Sequence, residues 1–160
     1  VFTVPEPFIG KTGAKITSLQ DPKAKMSKSD PNPKASVCVL DTPEQIMKKF
    51  KSAVTDSESC VRYAEGKDGI NNLMTIYSCC TGKSFEEIEN EFAGKGYGDF
   101  KTAVGEAVVA ELAPMQAEYK KIIADNAYIN ECMAKGAERA SRLAQRTLDK
   151  CMKKIGFKQI

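Results

Sequence analysis

A chain of 160 residues is long enough for one compact domain with a buried core, or for part of one joined to a smaller second one. Its 24 basic and 21 acidic residues leave a net charge of +3, too small for a general nucleic-acid coat. With no histidine at all, an imidazole base and a histidine metal ligand are both excluded within the chain, so any chemistry falls to lysines, hydroxyls and carboxylates.

Residues 1–40 hold five of the seven prolines (Pro5, Pro7, Pro22, Pro31, Pro33), separated by short extended runs at Ile16–Leu19 and Val37–Leu40. Such runs need partner strands that the chain scarcely offers, and an isolated strand pair is marginal. The segment therefore reads as a strand-poor preface to something larger. Within it, Lys25 and Lys28 flank Ser27, with Ser29 following, so that one loop offers two ammonium groups and two hydroxyls to a single polyphosphate. Asp30-Pro31-Asn32-Pro33 then stiffens the downstream backbone. Composition alone reads the loop as a solvated surface turn; the literal order of its residues argues otherwise.

From Thr42 onward the pattern is helical. Thr42, Pro43 and Gln45 form a capping box with proline at the first helical position, and Ile46, Phe50, Ala53 and Val54 share a face. A second helix is predicted from about Ile70 through Leu73, Met74 and Tyr77 to a stop at Gly82. Ser84 and Glu87 open a third, carrying Ile88 and Phe92, before Gly94, Gly96 and Gly98 interrupt the chain. A long fourth helix runs from near Asp99 through Phe100, Val104, Val108, Leu112, Met115, Tyr119 and Ile122, with a kink expected at Pro114. The fifth carries Ile129, Met133, Leu143, Leu148 and Ile155 to Gly156. The apolar stripes are expected to be core throughout.

The six cysteines show no CxxC spacing, and adjacent Cys79 and Cys80 point about 100° apart on a helix, so reduced thiols are expected. No apolar run approaches the roughly 20 residues needed to cross a bilayer, and Val1–Gly10 lacks the order of a signal peptide, so a cytoplasmic protein without membrane contact is expected.

Lys25-Met26-Ser27-Lys28-Ser29 matches the signature loop of class I aminoacyl-tRNA synthetases letter for letter. With Asp30-Pro31-Asn32, Phe2-Thr3-Val4-Pro5-Glu6-Pro7, Ala53-Val54-Thr55-Asp56-Ser57-Glu58 and Gly94-Lys95-Gly96-Tyr97-Gly98, the chain resembles bacterial-type tryptophanyl-tRNA synthetases over nearly its whole length. The resemblance implies a mainly α fold. Residues 1–40, with the signature loop at 23–34, would be the last part of a Rossmann-type catalytic domain. Residues 42–160 would be a five-helix, anticodon-binding-like body whose last helix packs back on the catalytic domain.

It also implies activation of tryptophan by ATP with magnesium, then transfer to tRNA(Trp). Lys25 and Lys28 would be catalytic, and Ile16, Lys25, Met26, Ser27, Lys28 and Ser29 would contact ATP. No metal-ligating side chain is assigned. Lys15 stands where close relatives are expected to carry arginine, which puts any bidentate contact there in doubt. The family's histidine-glycine-histidine signature cannot lie in a chain without histidine. The chain is therefore expected to be a C-terminal portion, inactive alone and monomeric, of a ligase that is a homodimer when whole. Lys48, Lys49, Lys51 and Lys67, or Arg139, Arg142 and Arg146, are candidate phosphate contacts for RNA, with nothing in the sequence to rank them. The alternative is a free-standing helical tRNA-binding module that keeps the loop without catalysis.

Overall fold

The computed structural model describes residues 1–10 and 13–157. Its elements, in order, are α1 (Pro43–Lys51), α2 (Asp68–Thr81), α3 (Phe85–Glu91), α4 (Tyr97–Ala124) and α5 (Asn126–Ile155). The fold is mainly α, and among the described residues the only β pairing is an isolated antiparallel bridge between Thr17 and Lys25. The helix limits follow local chemistry. Both capping boxes form: the Thr42 side chain accepts from Gln45 N and that of Ser84 from Glu87 N, each answered by the reciprocal bond. Gly82 and Gly156 close α2 and α5 in the left-handed conformation that other residues resist.

The chain divides into two compact units, Ile9–Gln116 and Val1–Phe8 with Ala117–Ile160. The boundary lies within α4, just after Pro114, where proline removes a helical hydrogen bond.

In the unit spanning Ile9–Gln116, one core gathers Leu19 with Ile46 and Phe50 of α1, Ile70, Leu73, Met74 and Tyr77 of α2, Ile88 of α3, and Phe100, Val104 and Val108 of α4. Tyr77, Phe92 and Phe100 meet edge-to-face, with centroids 5.7 Å and 4.9 Å apart along the series. α1 ends at Lys51, so Ala53 reaches the core from the turn beyond it and Val54 is exposed. The extended runs do not become strands. Ile16–Leu19 contributes the single bridge, and Val37–Leu40 folds into a turn in which Cys38 N donates to Asp41 Oδ2 and Asp41 N to Cys38 O.

In the other described unit, α5 buries none of its residues, and Met133, Leu143 and Leu148 stay at least half exposed. This corrects the expectation that every apolar stripe is core. An amphipathic helix needs a second apolar surface. Here it has the last turns of α4 and eight exposed residues at 1–8. All six cysteines are free thiols, and no helix among the described residues is long and apolar enough to cross a membrane.

Gly69, in the first turn of α2, passes so close to the preceding loop that a Cβ there would lie 2.3 Å from Val54 O and 3.0 Å from Thr55 Cα. Gly69→Ala should cost about 1–3 kcal/mol through this overpacking, more than alanine's helical advantage of about 1 kcal/mol returns. Gly98→Ala, with open space around its Cβ, should not destabilise. Urea unfolding of both variants checks the pair, and equal effects would contradict the close approach.

Candidate functional site

Residues 16–36 form a loop whose ends are fixed and whose middle is exposed. On the upstream side, Ser18 N donates to Ala24 O at 2.9 Å and Met26 N to Ile16 O at 3.4 Å around the Thr17–Lys25 bridge. On the downstream side, Leu19 N donates to Ala35 O at 2.9 Å. Leu19 and Ala35 are both buried, and Met26 is half-buried against the core.

Between these anchors the chain turns on its own side chains. Lys23 N donates to Asp21 Oδ1, Ser29 N to Ser27 Oγ, Asn32 N to Asp30 Oδ1 and Lys34 N to Asn32 Oδ1. Short polar side chains imitating backbone turns in this way fix a loop that has no ladder to join. Lys25, Ser27, Lys28 and Ser29 are exposed on it, while Ile16 is half-buried. The candidate residues are thus brought together on one exposed cationic loop that carries the hydroxyls as well.

The helices hold the upstream anchor. Thr17 N donates to Asn72 Oδ1 at 2.9 Å, and Asn72 Nδ2 donates back to Thr17 O at 3.0 Å. Gln20 Nε2 donates to Ser52 O, and Val54 N to Leu19 O, both in the turn after α1. Asn71 makes the same two-bond clamp on Ala64, in the connection between α1 and α2.

A buried charge cluster fastens that connection at its other side. Lys67, 6% exposed, donates from Nζ to Glu58 Oε2 at 2.6 Å, Tyr97 Oη at 2.9 Å and Asp56 Oδ1 at 3.3 Å. Tyr97 in turn donates to Asp56 Oδ1 at 2.7 Å. Burial disfavours the Lys67 ammonium, but its hydrogen bonds to Glu58, Tyr97 and Asp56 outweigh that and hold its pKa above the ordinary value. Burial likewise disfavours the Asp56 carboxylate, and the bonds from Tyr97, the Glu58 backbone and Lys67 prevail to lower its pKa.

The family model described as tRNA synthetases class I (W and Y) matches residues 1–113. The chain belongs to this family. It is 49% identical over 156 residues to a tryptophan–tRNA ligase of Clostridium tetani, covering 98% of this chain and 46% of that protein. A Wolinella succinogenes tryptophan–tRNA ligase is 48% identical over 156 residues, with 98% and 48% covered. The crystal structure of the Mycoplasma pneumoniae tryptophanyl-tRNA synthetase superposes with a TM-score of 0.81 at 28% identity, over 93% of this chain and 45% of that one. That of the Campylobacter jejuni enzyme complexed with ADP and tryptophan gives 0.70 at 26% identity, over 98% and 48%. The chain thus spans about half the length of the tryptophan–tRNA ligases it matches.

Two of the short strings that carried the resemblance to this synthetase family meet in space. Asp56 and Glu58, from one, bond through Lys67 to Tyr97, from another. Lys67 is therefore a buried structural cation, which removes it from the surface candidates for RNA phosphate. Lys49 is half-buried and bonded to Asp41. Lys48, Lys51, Arg139, Arg142 and Arg146 are exposed. Sequence reasoning missed Asn72 and Gln20. The adjacent pair Asn71-Asn72, poor helix formers inside a helical pattern, was the available signal.

The two pKa directions set the pH range of the cluster. Asp56, lowered from 3.8, stabilises the fold above that pH, and its contribution is lost as pH falls through the folded value. Lys67, raised from 10.5, contributes fully below that pH and loses its contribution as pH rises through its own folded value. Lys67→Met should lower the unfolding free energy near neutral pH by about 3 kcal/mol, since it strands a partly buried carboxylate. Asp56→Asn should flatten the fall in stability below about pH 3.8. Urea titrations across the acid range test both, and an unaltered acid slope would contradict the role of Asp56.

Proposed function

We propose that this chain is the C-terminal portion of a tryptophan–tRNA ligase, and that Lys25 and Lys28 act on the phosphates of ATP during tryptophan activation. The observation that carries this is the loop itself. Two lysines and two serines in the family's signature order stand exposed together on a segment fixed at both ends. The similarity to tryptophan–tRNA ligases over 98% of the chain supports tryptophan as the amino acid.

In the activation step the tryptophan carboxylate attacks the α-phosphorus of ATP, the bond to the bridging oxygen breaks, and pyrophosphate leaves with the electron pair. Negative charge builds on the departing phosphates. Lys25 and Lys28 supply two ammonium groups to that charge, and their long flexible side chains allow them to follow it as it moves. Ser27 and Ser29 donate to phosphate oxygens or keep the shape of the loop. The backbone of Met26 and the side chain of Ile16 lie along the nucleotide. The second step, transfer of the tryptophanyl group to a ribose hydroxyl of tRNA(Trp), needs no nucleophile from this chain.

The loop's side chains do not suit a resident divalent cation. Its two carboxylates, Asp21 and Asp30, each accept a turn bond, from Lys23 N and Asn32 N, and no set of three or more cysteine, aspartate or glutamate residues converges among the described residues. Magnesium belongs with the ATP phosphates. On this proposal residues 1–40 complete a Rossmann-type nucleotide-binding domain, and residues 42–160 form the helical domain that meets tRNA. The whole ligase is a cytoplasmic homodimer.

Tryptophan-dependent exchange of labelled pyrophosphate into ATP tests the proposal, using this chain and the product of the full reading frame that contains it. Exchange by the full product alone is expected. Lys25→Ala and Lys28→Ala should each lower its kcat about a hundredfold or more without loss of fold. No exchange by the full product with tryptophan, ATP and magnesium saturating would overturn the ligase in favour of a tRNA-binding module. Full activity of both lysine variants would overturn their role.

A further inference from the structure

We infer that Asn72, on a helix outside the loop, is the positioning residue that sets the register of the lysine loop for pyrophosphate departure. The inference rests on the function proposed above. Asn72 is 8% exposed, and its amide makes both of its observed bonds to Thr17, which is 55 residues away in sequence. Oδ1 takes the Thr17 N–H and Nδ2 satisfies the Thr17 carbonyl, so one side chain occupies the place that a neighbouring strand would take. Thr17 in turn is the residue that bridges Lys25, and its neighbour Ile16 accepts from Met26 N. From buried Asn72 to Lys25 there is therefore one clamp and one bridge.

The clamp has a directional consequence. A carboxamide offers a donor and an acceptor in a fixed plane, so it holds Thr17 against sliding along the chain axis as well as against lifting away. A slip of one residue would turn the paired side chain to the opposite face and take Lys25 with it. Losing the clamp should act on the step in which the lysines meet developing charge, and leave the binding of the amino acid alone.

Asn71 provides the matched control. It makes an equivalent two-bond clamp, but on Ala64, whose other backbone bond is accepted from Lys67 N and does not run to the lysine loop. Pyrophosphate exchange is measured on the full reading-frame product carrying Asn72→Ala or Asn71→Ala, with circular dichroism melting of each. Asn72→Ala should lower kcat about tenfold to a hundredfold with the tryptophan KM unchanged. Asn71→Ala should leave kcat unchanged at a comparable shift in Tm. If Asn72→Ala does not fold, Asn72→Ser, which keeps a donor and an acceptor on a shorter reach, is assayed in its place with the same expectation. Unchanged kcat in the folded Asn72 variant overturns the inference, as does an equal fall in both variants that follows their Tm. Loss of exchange in the unsubstituted product is a separate result: it removes the ligase proposal and this inference with it.

Discussion

The backbone of residues 16–20 has polar groups to satisfy and no sheet, among the described residues, to satisfy them. Burying Ser18 and Leu19 at about 1% exposure would be costly if those groups were orphaned. The α2 helix and the turn after α1 supply the missing partners: Asn72 for both groups of Thr17 and the Val54 N–H for the Leu19 carbonyl, with a further bond from the Gln20 side-chain amide to the Ser52 carbonyl. That exchange of side chains and turns for strands makes a fixed platform of an otherwise irregular segment. It also allows the lysine loop to be short, polar and exposed without drifting, because only its middle is left to solvent.

The connection between α1 and α2 must be as firm as the platform, since it provides Val54 and leads to Asn72. Two devices hold it. Gly69 lets the helix start pass against the Val54 carbonyl, and the Lys67 cluster ties Asp56 and Glu58 to the beginning of α4. A buried ammonium is tolerable only with its donors engaged, and here a phenol and two carboxylates engage them. Several short strings that mark the family in the sequence are thus parts of one mechanical chain, which runs from Tyr97 through Asp56 and Val54 to the loop that carries Lys25.

Much of the helical architecture was legible because its signals are local. Thr42 with Gln45 and Ser84 with Glu87 fixed two helix starts, and Gly82 and Gly156 two stops, each through contacts within a turn. The loop was legible for another reason: Lys25 to Ser29 carry their chemistry in their order. What stayed hidden depends on distant partners. Nothing local to Lys67 says that Tyr97, thirty residues on, will bury it, and Asn72 resembles any polar residue on a helix until Thr17 is placed beside it. Val37–Leu40 has the residues of a strand and folds as a turn, because β propensity expresses a fit to neighbouring strands. The stripe of α5 has the period of a core helix, but period alone does not supply the surface that would cover it.

The helices, and no sheet among the described residues, hold the platform beneath the lysine loop. Native-state hydrogen exchange resolved at single amides in this chain tests this most directly. The amides of Thr17, Leu19 and Val54 should exchange only with the opening of α2, as slowly as its buried core amides, while that of exposed Lys28 exchanges rapidly. Thr17 and Leu19 exchanging as fast as Lys28 would contradict the account, since the platform would then open without the helices that are said to hold it.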